Sequence, residues 1–352
     1  MSIRRVAVLF DDRSRPDTTG GYCLRAARAL AEAVHVYPHE ADRVRPGEFD
    51  LFLRVDDSLD TPIPTILRPL AWWAIDTHLN FDRCLAQAGT ADLTFAAQRA
   101  GAAALAQAGV ANATWLPLAC DPSVHRPHNI PKTHDVSFIG NMFPGPRSDL
   151  LDLIRRQYPS HFVGRAYFDD MARAYSASRT VFNRSIRDDL NMRVFEALAC
   201  GSLLLTNDLP DSGQPDLFRD GVHLATYRDP DELLDKLAFY LARPEPRSRV
   251  EAVGRREAAE RHTYRHRMEA ILAAAGSRPR TIPVAAGPTR GRNPGQAPGY
   301  FDHARPELLA LIPPTAREVV DVGCGAGRLG QALKARQPAR VVGIEQDARA
   351  AA

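Results

Sequence analysis

The sequence predicts an α/β protein built from two successive β/α halves with parallel sheets, followed by a short third β/α segment. Three observations predict it. Short apolar runs alternate with helical periodicities from Val6 to Leu118 and again from His134 to Ala275. A stretch rich in Pro, His and Asn, Asp121 to Pro131, separates the two series. A Gly, Pro and Arg-rich stretch without apolar period, Gly276 to Gly299, reads as a flexible tether before the third. The expected division is 1–122, 132–275, a linker over 276–299, and 300–352.

In the first half, Val6 to Phe10 is a continuous apolar run ending in Asp11-Asp12, the pattern of a buried parallel strand whose loop opens at the carboxyl edge. Thr18-Thr19-Gly20-Gly21 follows as a Gly loop, and Tyr22 to Val34 carries Leu24, Ala27, Leu30 and Ala31 at helical spacing. Further strands are expected at Val34 to Tyr37, Asp50 to Val55, Pro64 to Ile75, Leu93 to Ala97 and Thr114 to Leu118, with a helix over Gln98 to Ala108.

The second half repeats this grammar. Strands are expected at His134 to Ile139, His161 to Gly164, Thr180 to Asn183, Ser202 to Asn207 and His223 to Tyr227. Helices fall at Arg147 to Gln157, Asp169 to Ala177, Met192 to Cys200, Asp231 to Leu241 and within Arg247 to Ala275. In the third segment, Pro306 to Leu311 reads as helix, Glu318 to Val322 as strand, Leu329 to Ala335 as helix and Val341 to Glu345 as a second strand.

Composition excludes several classes. The chain has 352 residues, 45% hydrophobic and 25% charged, which is the profile of a globular protein with room for more than one core. Net charge is only +3, and the basic residues, nearly all arginine, are spread without a run, so composition gives no nucleic-acid partner. Cys23, Cys84, Cys120, Cys200 and Cys324 lie far apart without CxxC spacing, the usage of free thiols in a reducing, cytoplasmic compartment. No stretch is long and apolar enough for a transmembrane segment, and Asp11-Asp12 cuts short the apolar run that a leader would need.

The segment that carries chemistry is Asn183-Arg184-Ser185-Ile186-Arg187-Asp188-Asp189-Leu190-Asn191-Met192-Arg193-Val194-Phe195-Glu196-Ala197-Leu198-Ala199-Cys200-Gly201. It resembles the donor-binding signature of GT-B glycosyltransferases, and more narrowly the bacterial branch grouped with the spore-maturation CgeB proteins, whose group-1 transferase domain has a similar helix. The likeness continues through Leu203-Leu204-Leu205-Thr206, Leu217-Phe218, Tyr227-Arg228-Asp229 and His262 to Arg267, covering about 134 to 272. It implies two facing Rossmann-like domains with a cleft between them.

Physics gives an independent reason for such a helix. Starting at Asn191, it aims the free N–H groups of Met192 and Arg193 and a positive dipole end at the cleft, where a diphosphate belongs. By the resemblance, Glu196 would accept hydrogen bonds from the donor ribose. Asp188, eight positions earlier, takes the first place of the family's E-x7-E pattern and would meet the donor sugar, with Asp in place of Glu. Phe138-Ile139-Gly140-Asn141 followed by Arg147 looks like the strand, Gly turn and basic residue that grip a pyrophosphate, with Arg184 and Arg187 in reserve. Gly20-Gly21 resembles the glycine pair that lets backbone approach the donor. Trp72-Trp73-Ala74-Ile75-Asp76-Thr77-His78 ends a strand in an Asp and a His where ligand-facing side chains gather in α/β sheets, so Asp76 and His78 are expected to face the donor sugar.

The resemblance further implies a hexosyltransferase-type enzyme. It would move a sugar from a nucleotide-diphosphate sugar with retention of anomeric configuration, without a metal or other cofactor, to an acceptor that could be a glycan, a lipid-linked intermediate, a protein or a small molecule. A non-catalytic sugar-nucleotide-binding relative is the bland alternative. Separately, Val319-Val320-Asp321-Val322-Gly323-Cys324-Gly325-Ala326-Gly327 resembles the first motif of class I SAM-dependent methyltransferases. There Asp321, Gly323, Gly325 and Gly327 would hold SAM and Glu345 its ribose. The segment reads as the start of such a domain in a longer parent protein, with SAM a cofactor only if that domain were complete.

Overall fold

The computed structural model describes residues 3–187, 189–277, 306–322, 324 and 327–344. The chain divides into two compact units, Met1–Val284 and Ala285–Ala352. In the first unit, lobe 1 contains β1 (Arg5–Leu9), α1 (Thr19–Arg28), β2 (Glu32–Val36), β3 (Leu51–Val55), β4 (Leu70–Ala74), α2 (Phe81–Ala88), β5 (Leu93–Ala96), α3 (Arg99–Gln107) and β6 (Ala113–Trp115). Its sheet runs β2-β1-β3-β4-β5-β6, every pair parallel.

Lobe 2 contains β7 (His134–Ile139), α4 (Pro146–Gln157), β8 (His161–Gly164), α5 (Phe168–Ser176), β9 (Ser178–Asn183), α6 (Met192–Ala199), β10 (Leu203–Asn207), α7 (Gln214–Leu217), β11 (Ala225–Tyr227), α8 (Pro230–Ala242), α9 (Pro244–Arg261) and α10 (Tyr264–Gly276). Its order is β11-β10-β9-β7-β8, again parallel throughout. The sheets are doubly wound, so their strands read as unbroken apolar runs: β3 and β4 are buried at every position. In both lobes the loops at the carboxyl ends of the strands carry the polar residues described below.

Several boundaries differ from the sequence expectation. Helix α1 begins at Thr19, because the Thr18 hydroxyl accepts the N–H of Gly21 and caps it, and it ends at Arg28, leaving Glu32–Val36 to pair with β1. Strand β4 starts only after Pro69, which has no N–H for the ladder. Helix α2 fills the interval between β4 and β5, where the alternation calls for a helix. The closing helical stretch breaks at His262-Thr263: Cys120 donates its N–H to the His262 carbonyl and accepts from Tyr264 N–H, a bridge with the segment leaving lobe 1.

That bridge turns the chain back toward lobe 1. There Arg267 donates to the carbonyls of Pro117 and Leu118 at 2.7 and 3.0 Å, and α10 lies on α1. One apolar cluster joins Val6, Val8 and Tyr22 of lobe 1 with Val194, Phe195 and Leu198 of lobe 2 and Tyr264 and Met268 of α10. The lobes thus share a core at the base of the cleft, burial that holds them together without cross-links.

In the second unit, α11 (Pro306–Leu309) precedes β12 (Glu318–Val322), α12 (Arg328–Arg336) and β13 (Arg340–Ile344), and β12 pairs β13 in parallel. Asp321 is half-buried on β12, and Gly327 caps α12 in the left-handed conformation with φ 70°. Gly323, Gly325, Glu345 and the tether from residue 278 to 299 lie outside the described residues.

Candidate functional site

Lobe 2 brings its cations together at the ends of β7 and β9. The side chain of Arg193, in the first turn of α6, donates to the Ile139 carbonyl at 2.8 Å and to Asn183 Oδ1 at 2.6 Å, and its guanidinium lies 4.4 Å from the centre of the Phe138 ring. Gly140, at φ 155°, is required here, since a Cβ at that position would lie 2.3 Å from the Arg193 guanidinium. Arg147 donates to the Arg184 carbonyl at 2.9 Å and sits 5.6 Å from the same ring.

Neither Arg147 nor Arg193 forms a salt bridge with a carboxylate among the described residues. Burial, and next the charge of Arg193, pulls Arg147 down to about 10. Two neighbouring guanidiniums that no carboxylate among the described residues bridges directly, with Asp189 and Glu196 only within electrostatic reach, make a place for an anion. Arg184 contributes its carbonyl, and its side chain lies beside the Tyr227 hydroxyl.

The start of α6 adds to this field. Asn191 stands at the N-cap but does not cap with its side chain; its amide instead donates to Asn183 Oδ1 and Ser185 Oγ at 3.3 and 3.2 Å. The backbone N–H groups of Met192 and Arg193 meet no acceptor among the described residues, leaving the positive end of the helix open. The Met192 side chain turns away and accepts from the Tyr264 hydroxyl.

Glu196, further along α6, is 5% exposed, and its carboxylate has no hydrogen bond among the described residues. Burial pushes it up to about 7, against the lowering effect of Arg193, with Asp17 adding to the rise. Asp17 and Arg15 belong to the loop between β1 and α1, so the carboxylate faces lobe 1. Its nearest buried neighbour on the segment joining the lobes is His125, with Nε2 at 3.7 Å from Oε1.

On lobe 1, the loop after β4 presents Asp76, Thr77 and His78. Asp56, at the end of β3, fixes it by accepting the N–H groups of Ile75 and Asp76 at 3.1 and 3.4 Å, while Arg83 neutralises Asp56 at 2.8 Å. Burial, then the charge of Asp56, raises the Asp76 carboxyl. His78 Nδ1 is buried without a hydrogen-bond partner among the described residues, and the His78 carbonyl accepts from Arg187 of lobe 2 at 3.0 Å. A cavity of about 340 Å³ opens beside His78, lined from lobe 1 by Phe81 and Gln98 and from lobe 2 by Leu190 and Asp211.

Asp189 links the halves of this arrangement. Burial raises its carboxyl, while His78 of lobe 1 and Arg193 and Arg147 of lobe 2 lie within electrostatic reach. Sequence reasoning missed it: the E-x7-E spacing, eight positions back from Glu196, selects Asp188, which lies outside the described residues. The adjacent Asp189 was the available signal.

The glycine pair is placed differently from the expectation. Gly20 and Gly21 form the first turn of α1 rather than a free loop. A Cβ on Gly20 would lie 2.2 Å from the Phe10 ring, so this glycine serves close packing, and the Gly21 N–H is taken by Thr18. Among the described residues no group of three His, Cys, Asp or Glu side chains is placed to hold a metal ion, and no helix is long and apolar enough to cross a membrane.

Residues 129–273 match the family described as "Glycosyl transferase-like", and residues 297–352 match the "Methyltransferase small domain". Similar solved structures include Anabaena HepE in complex with UDP and glucose, at 14% identity over 78% of this chain and 100% of that one, TM-score 0.59. An α-glucosyltransferase in complex with UDP and a 13-mer DNA containing an HMU base aligns at 9% identity over 78% and 100%, TM-score 0.58. Sucrose-phosphate synthase from Thermosynechococcus elongatus aligns at 13% over 78% and 97%, TM-score 0.52. No curated protein sequence matches. The chain therefore has the GT-B fold of two Rossmann-like lobes, with a second lobe similar to the glycosyl transferase-like family and a carboxy-terminal segment similar to the methyltransferase small domain.

Proposed function

We propose that this chain is a cytoplasmic glycosyltransferase that binds a UDP-sugar in the cleft and moves the sugar to an acceptor hydroxyl with retention of configuration and without a metal ion. The observation that carries the reading is the pairing of Arg147 and Arg193, two cations that form no salt bridge with a carboxylate among the described residues, beside the open end of α6. That is the field a diphosphate requires, and the complexes of HepE and of the α-glucosyltransferase with UDP support uridine as the base.

In this reading the diphosphate lies against Arg147, Arg193 and the Met192 and Arg193 N–H groups, and Glu196 takes the ribose. Asp76 and His78, with Asp189 opposite, flank the sugar, and the family spacing assigns Asp188 to the same sugar. The bond from the anomeric carbon to the diphosphate oxygen breaks as the bond to the acceptor oxygen forms on the same face. The acceptor's proton passes to the departing diphosphate. Stabilising that charge in a preformed field is the catalytic contribution of the arginines and helix. The match over 297–352 favours a separate reading of the second unit as SAM-binding, with Asp321 on β12 and Gly327 at the N-cap of α12.

Calorimetry with UDP, GDP and SAM, followed by turnover of a nucleotide-sugar panel, tests the proposal. UDP binding that weakens at least tenfold in both Arg147→Ala and Glu196→Gln supports it. Unchanged binding in both variants defeats it, and binding without turnover leaves a non-catalytic relative.

A further inference from the structure

Glu196 has an unassigned neighbour. His125 lies on the segment between the lobes, is 1% exposed, and places Nε2 at 3.7 Å from Glu196 Oε1. Its tautomer is set by the backbone: Nδ1 accepts the Asp121 N–H at 2.9 Å, so the ring proton resides on Nε2. Asp121 is itself tied to α1, accepting from Arg25 at 2.7 Å and from the Ser123 hydroxyl at 2.6 Å. The Tyr22 ring packs on the imidazole at 5.1 Å between centroids.

The Nε2–H nevertheless meets no hydrogen-bond partner among the described residues, although it is buried. A buried donor left unused is costly, and a phenylalanine would fill the same space against Tyr22 without that cost. An imidazole whose tautomer is fixed so that its proton faces a buried carboxylate is arranged to use that proton. A movement of about 0.8 Å brings the pair to ordinary hydrogen-bond length.

We propose that His125 is a positioning residue for donor recognition, its Nε2–H holding one carboxylate oxygen of Glu196 so that the other faces the ribose hydroxyls. This rests on the donor-site reading above. Besides Arg193 of its own helix, the titratable groups facing Glu196 are Asp17 and Arg15 of the β1–α1 loop, Tyr22 of α1, Cys120 of the segment leaving lobe 1, Tyr175 of α5, Cys200 at the end of α6 and Tyr264 of α10. Beside these stands His125, whose tautomer a backbone bond fixes with the proton on Nε2, 3.7 Å from the carboxylate.

The test compares UDP with 2′,3′-dideoxy-UDP by calorimetry on the full chain. In the wild type, UDP binds about tenfold more tightly than the dideoxy analogue, the effect of hydrogen bonds to the ribose. His125→Phe loses about tenfold on UDP and under twofold on the analogue, so the discrimination disappears, and His125→Gln restores part of it. A variant that keeps the discrimination, or weakens both ligands alike, overturns the proposal. Should His125→Phe fail to fold, heteronuclear NMR of the wild-type imidazole decides: UDP must shift the Nε2–H resonance downfield with Nδ1 still unprotonated, and an unmoved resonance overturns it. A wild type that binds UDP without discriminating at the ribose defeats the Glu196 reading and this one together, whereas discrimination that survives in His125→Phe defeats this one alone.

Discussion

Gln98, at the start of α3 in lobe 1, donates its side-chain amide to the Asp189 carboxylate of lobe 2 at 2.9 Å. The same amide accepts at its oxygen from the Thr77 hydroxyl at 2.8 Å, so one residue connects the loop after β4 to the loop before α6. With the Arg187 bond to the His78 carbonyl and the exposed pair of Arg99 with Asp216, it spans the cleft beside the cavity. The polar contacts across the cleft are therefore concentrated where both lobes present their candidate catalytic groups.

Asp189 pays for this position electrostatically. Burial raises its folded pKa above the ordinary 3.8, so the native state holds the proton more tightly than the unfolded chain. Its contribution to stability is then fully present below about 3.8 and lost as pH rises through the folded pKa. Asp189→Asn, which keeps an acceptor for Gln98, is expected to melt a few degrees above the wild type at neutral pH and level with it in acid. Thermal melts at pH 3.5 and 7 check this, and equal melting temperatures at pH 7 refute it.

Glu196 gives the same sign. Its pKa rises from 4.5 to about 7, so the stabilisation associated with its protonated form is complete below 4.5 and gone above 7. The span corresponds to about 3 kcal/mol at most. Glu196→Gln cannot titrate, and its stability in urea should gain on the wild type steadily from pH 5 to 8. Parallel pH profiles for the two proteins would show that the carboxyl is not buried as described.

Arg147 predicts opposite effects on folding and binding. The free protein carries two adjacent guanidiniums that burial and mutual repulsion disfavour. Arg147→Met should raise the melting temperature of the unliganded chain slightly and weaken UDP about tenfold or more, an effect that fades with added salt. A variant less stable and equally tight on UDP would contradict both halves.

The sequence made the parallel strands legible because each is a continuous apolar run, and it placed the start of α6 at Asn191 because that residue precedes a helical period. Gly140 and Arg147, singled out as turn and basic residue, lie near Arg193, which that pattern did not include. Three features were not legible. The neighbours of Glu196 include a loop at Arg15 and Asp17 and a linker at His125 more than a hundred residues later, and no local pattern records such convergence. The conformation of Gly20 was misread because a glycine needed for packing against Phe10 looks, in sequence, like one needed for a turn. Asp189 lay beside the residue that a fixed spacing selected, and only the fold shows its bond to Gln98.

Beneath the Asp76–His78 loop lies the ion pair of Asp56 with Arg83, whose side chains are 0% and 5% exposed and 2.8 Å apart. The Asp56 carboxylate is shut off from the surface, and its oxygens also hold the Ile75, Asp76 and Ser58 N–H groups. Arg83→Met leaves that carboxylate buried and uncompensated, which should cost about 3–5 kcal/mol in urea unfolding. Asp56→Asn leaves Arg83 in the same condition and should cost about as much. The double variant should cost distinctly less than the sum, because removing both charges also removes the uncompensated one. Additive losses would mean that the two charges act independently. Where the double variant folds, its kcat for sugar transfer should fall more than its KM for the donor rises, since the loop it loosens carries His78 and not the anion site formed by Arg147 and Arg193.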